Sequence, residues 1–139
     1  MKTKLLSICL FLSALFFGNR LFSQAKPGSW TELKAYHSIM SSTFHPSEDG
    51  NLEPIKTRST ELAEAAKAWK NSTPPAEFNK STVKEILKKL DEESEALDKL
   101  VKGKKATDTE IKNALEKLHE RFHEIVGACK TEGEEHEHK

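Results

Sequence analysis

Four segments of this chain space their apolar residues three and four positions apart, and no segment alternates apolar with polar as a half-buried strand would. Such stripes constrain the fold more than any other feature, because each must be buried against another. The first stripe is Leu33, Tyr36, Met40 and Phe44, and the second is Ile55, Leu62, Ala65, Ala66 and Trp69. The third is Val83, Ile86, Leu87, Leu90, Leu97 and Val101; the fourth is Ile111, Leu115, Leu118, Phe122, Ile125, Val126 and Cys129. Helices of roughly 16 to 22 residues with short connections bury each other most simply in an all-α, antiparallel up-down-up-down four-helix bundle.

The punctuation between stripes agrees. Ser29-Trp30-Thr31-Glu32 and Thr107-Asp108-Thr109-Glu110 both read as capping boxes, in which a hydroxyl and a glutamate three residues later satisfy each other's backbone N–H. Pro46 is expected to stop the first helix, Pro54 to sit in the first turn of the second, and Thr73-Pro74-Pro75 to follow its end. The third helix is expected from Ser81 or Thr82 to Gly103, with Glu85/Lys89 and Glu95/Lys99 four apart in the favourable order. Trp30 and Trp69 read as core or end-capping aromatics.

Ahead of the first stripe, Lys2 and Lys4 precede a mostly apolar run from Leu5 to Phe17, and Ser23-Gln24-Ala25 supplies the small residues of a cleavage site. Residues 1–25 therefore read as a signal peptide, and Arg20 interrupts the run too early for a membrane anchor. The domain expected is 26–130, in a periplasmic or secreted protein. Residues 131–139 contain Glu134-Glu135-His136-Glu137-His138 and no apolar side chain, which reads as a disordered acidic tail.

Cleavage after Ala25 would remove Lys2, Lys4 and Arg20, leaving 19 basic residues against 22 acidic ones. That balance argues against nucleic acid as a partner. It would also remove Cys9, leaving Cys129 without an intramolecular disulfide partner. The thiol is then a buried small hydrophobe, a ligand, or a link between chains, and a homodimer is compatible with the sequence. Asn71-Ser72-Thr73 and Asn79-Lys80-Ser81 match the glycosylation sequon. No nucleophile–base–orienter set and no Gly-rich phosphate loop is recognisable, so the sequence points away from catalysis.

Chemistry is concentrated in histidine and methionine. At about 100° per residue, His37 and Met40 fall near the centre of the first stripe, and His45 falls well off it. His119 sits on the shoulder of the fourth stripe and His123 one turn further toward solvent, an i, i+4 pair of the kind that shares a metal. In an antiparallel first and last helix, residues at one height have numbers summing to about 160. His37 is then level with His123, and Met40 with His119. Imidazole and thioether suit copper; imidazole also suits zinc and haem iron. The competing reading is a ligand-free structural or protein-interaction bundle in which these four residues are packing and surface.

The layout resembles the exported four-helix cytochromes of the cytochrome c prime and non-covalent b types. The likeness is carried by Phe122 to Lys130, by the first helix with Tyr36, His37 and Met40, and by the stretch from Leu62 through Pro75 to Lys104. The b type implies haem held between a methionine of the first helix and a histidine of the last, here Met40 and His119, and electron transfer as the activity. The Cys-x-x-Cys-His attachment motif is broken, since Glu132 and Gly133 stand where its second cysteine and histidine would follow Cys129. Covalent haem is therefore not expected. The sequence reading is a non-catalytic bundle binding copper, zinc or non-covalent haem between its first and last helices.

Overall fold

The computed structural model describes residues 29–103 and 105–130. The leader expected over 1–25, the tail expected over 131–139 and the Cys129 side chain lie outside the described residues. Among these residues four helices follow in order: α1 (Thr31–Glu48), α2 (Glu53–Asn71), α3 (Ser81–Lys102) and α4 (Asp108–Lys130), with a short 3-10 turn at Ala76–Phe78 before α3. No described helix is long and apolar enough to cross a membrane.

Cross-helix contacts fix the topology. Ser42 meets Arg58 and Trp30 meets Ser72, so α1 and α2 run in opposite directions. Lys70 meets Asp91 and Ser59 meets Asp98, which reverses α3 against α2. Lys80 meets Ala128 and Glu93 meets Arg121, reversing α4 against α3. His37 lies against Phe122 and Phe44 against His119, so α1 and α4 are antiparallel neighbours as well. This is the up-down-up-down bundle.

The four stripes meet in one core. Tyr36, Met40, Ile55, Leu62, Trp69, Val83, Leu90, Leu97, Leu115, Leu118 and Ile125 are fully buried. Aromatic rings cluster where α1 begins: Trp69 packs against Trp30, Tyr36 and Phe122 with centroids 5.5 to 6.0 Å apart. The Tyr36 hydroxyl pairs with Ser94 Oγ across the bundle at 3.3 Å, and burial pushes the phenol well above its ordinary pKa. On the α3–α4 flank, Arg121 donates two bonds to Glu93, each 3.0 Å, and Lys117 donates a third.

Two helix ends differ from the sequence expectation. The box at Ser29 does not form; Trp30 takes the N-cap position without a side-chain cap bond. Its indole is 4% exposed and donates to Ser72 Oγ at 2.7 Å. Burying an indole stabilises by on the order of 4 kcal/mol, against about 1 kcal/mol for a hydroxyl cap, so packing sets where α1 starts. At the other end, Pro46 does not stop α1, which continues to Glu48. Buried Ser47 donates to the Phe44 carbonyl at 2.6 Å, while Gly50 and Asn51 N–H groups take the Ser47 and Pro46 carbonyls. The chain then reverses at Gly50, whose φ of 84° glycine adopts without strain. Gly103 does end α3, though in the right-handed region, so its conformational freedom is not what ends the helix.

The second box forms as expected. Thr107 N–H donates to Glu110 Oε2 at 2.8 Å, and Glu110 N–H donates to Thr107 Oγ1 at 3.2 Å. These bonds hold the Glu110 carboxyl below its ordinary range.

Candidate functional site: a histidine and aromatic array on the α1–α4 face

The antiparallel α1–α4 pair alternates imidazoles with phenylalanines. Phe44 and Phe122 belong to the apolar stripes and are nearly buried, so a histidine beside either one is laid against its ring. His119 stacks on Phe44 with centroids 3.8 Å apart and planes 10° apart. His37 stacks on Phe122 at 4.9 Å and 8°. Edge contacts complete the row: His123 meets Phe122 at 5.6 Å, and His45 meets Phe44 at 5.8 Å. Contact of residue 37 with 122, and of 44 with 119, lies within a few positions of the register read from the sequence.

At the centre stand His119 and His123. One helical turn separates them, so both rings project from the same side of α4. Their Nε2 atoms are 3.2 Å apart, with the rings nearly perpendicular. His119 is half-buried and His123 exposed, which leaves the converging nitrogens accessible from one side. Burial pushes the His119 imidazole below its ordinary pKa, and His123, His45 and His37 push it the same way, against an opposing pull from Glu48. These effects favour the unprotonated form of the ring, the form that offers a lone pair to a cation.

The four residues expected to ligate divide into two groups. His37, His119 and His123 share the α1–α4 face. Met40 does not present its sulfur there; it is fully buried in the core. Sequence reasoning missed His45, an exposed residue whose Nδ1 lies 3.0 Å from Glu48 Oε2 and whose charge acts on His119. Its adjacency to Phe44 was the available signal, because that ring packs on α4 opposite His119. Among the described residues, no group of three or more His, Cys, Asp or Glu side chains is gathered as a metal cage. The array offers a two-nitrogen clamp with further imidazoles nearby.

Comparison with protein-family models, with curated proteins and with solved structures finds no match. The resemblance to four-helix cytochromes therefore rests on the residues named above, and the functional reading on the geometry of the array.

Proposed function

We propose that this protein is an exported, non-catalytic bundle that takes up one borderline divalent cation, copper or zinc, through His119 and His123. The observation that carries the reading is the 3.2 Å separation of their Nε2 atoms. Two imidazole nitrogens bound to one tetrahedral zinc, each about 2.0–2.1 Å from it, stand about 3.3 Å apart. The spacing matches that of a shared ion, which would take the place of the proton in the His119–His123 hydrogen bond. Imidazole suits both metals, and an i, i+4 helical pair presents two at fixed spacing. With two protein ligands fixed and His37 and His45 close by, the remaining positions are open to water or exchange. Such a site serves a carrier, buffer or sensor rather than a closed structural centre.

Haem held by Met40 and His119 has less in its favour. The thioether is fully buried, and Tyr36, Met40, Phe44 and Phe122 pack between α1 and α4 where a porphyrin would enter. A second reading, the ligand-free structural or interaction bundle, is favoured by the flat stacking of His119 on Phe44 and His37 on Phe122. Imidazoles packed in this way serve as covers for the rim of an aromatic core.

Competitive titration of the full chain with Zn2+ and Cu2+ separates these readings. One tight equivalent is expected, weakened roughly tenfold or more by either His119→Ala or His123→Ala, since each removes one of two ligands. Replacing His136 and His138 together should leave that equivalent intact. Wild-type affinity in both α4 variants would reject the metal reading in favour of the structural one. A shifted Soret band on haem addition, lost in Met40→Ala, would favour haem.

A further inference from the structure

At the end of the bundle where α1 and α3 begin and α2 ends, a cleft of about 330 Å³ opens between the three helices. Trp30, Pro74 and Leu87 supply apolar wall, and Lys70, Lys84 and Lys88 supply three cations. The wall is rigid. Trp30 is fixed by its bond to Ser72 Oγ, which in turn donates to the Trp69 carbonyl at 2.8 Å, and by ring contacts with Trp69 and Phe78 near 5.5 and 5.3 Å. Pockets of this kind, mostly apolar with a few polar groups and at least about 300 Å³, are the usual form of small-molecule sites.

The charges define the ligand. Lys70 is neutralised by the buried carboxylate of Asp91. Lys88 has Glu92 at 3.8 Å. Lys84 has no ion-pair partner among the described residues, so the cleft carries one uncompensated positive charge. An apolar wall, one spare cation and a volume at the small end of the range fit a compact apolar body with a single negative charge.

We propose that this cleft binds a small organic monocarboxylate, its ring or short chain over Pro74 and the narrow exposed edges of Trp30 and Leu87 and its carboxylate facing Lys84. The site is separate from the α1–α4 histidines and does not depend on the metal reading. Occupancy would be read out by the Trp30 indole N–H, whose partner Ser72 also lines the cleft.

The test uses 15N-labelled full chain titrated with 4-phenylbutyrate, following the indole N–H signals. The expected result is a saturable shift at Trp30, with affinity lowered about threefold or more by Lys84→Gln. Lys112→Gln, at the opposite end of the bundle, should leave it unchanged. The amide isostere 4-phenylbutanamide should bind correspondingly weaker than the acid. Equal binding of acid and amide, an unaltered affinity in Lys84→Gln, or a Trp30 signal unmoved at millimolar acid would each overturn the proposal. Lys84 is exposed, so its replacement leaves the fold intact.

Discussion

At the residue scale, Met40 and the histidines near it separate packing from ligation. Met40 is fully buried, and its truncation to alanine should destabilise the bundle by about 2–5 kcal/mol, measured by chemical denaturation. Met40→Leu keeps the volume and removes only the sulfur, so it should lose less than about 1.5 kcal/mol and leave metal affinity unchanged. A metal affinity that falls in Met40→Leu would make the thioether a ligand after all. Met40 and His37 lie at similar angles near the centre of the first stripe, and Met40 is buried there because the stripe centre is the core. His37 is exposed despite a similar angle, since its ring lies over Phe122 instead of pointing inward. His45 was legible only through its adjacency to Phe44, because its relation to His119 depends on where that ring packs across the helix pair.

At the element scale, the two capping sequences show which signals are local. Thr107 and Glu110 satisfy each other within four residues, so their box was readable from spacing alone. Thr107→Ala should destabilise by about 1 kcal/mol, whereas Ser29→Ala should have no capping effect, because Ser29 does not cap α1. Thermal unfolding of the two variants checks the contrast. The start of α1 was not legible because the deciding contact, Trp30 with Ser72, spans 42 positions. The continuation of α1 past Pro46 depends likewise on a buried turn, held by Ser47 and by the chain reversal at Gly50. Helix number, type and approximate extent were legible because the stripes repeat over several turns and no single contact can mask them.

At the scale of the whole molecule, charged pins hold neighbouring helices in register around the apolar core. Burial pushes the Glu93 carboxyl up, but bonds from Arg121 and Lys117 more than offset this and hold it below its ordinary range. Hydrogen bonds from Lys102, Ser59 and Thr60 likewise outweigh burial at Asp98. A carboxyl whose pKa is lowered by folding adds stability that is complete above its unfolded value, about 4, and is lost as pH falls through the depressed folded value. The carboxyl contribution should therefore be level near neutrality and decline below about pH 4.5, on top of a loss that begins below about pH 6.5, where the unfolded chain protonates His119 more readily than the folded one. Glu93→Gln should lower stability by about 1–2 kcal/mol near pH 7 and shrink that acid-side decline, read from denaturation midpoints across pH. The same antiparallel register that places Glu93 beside Arg121 places α1 beside α4, and so builds the histidine array. In the proposed metal site, His119 and His123 share one cation through their Nε2 atoms. Long-range 1H–15N correlation spectra of the full chain during Zn2+ titration test it most directly. The first equivalent should shift the Nε2 resonances of His119 and His123 together, ahead of His136 and His138. A first equivalent that leaves both resonances in place while other histidines move would contradict it.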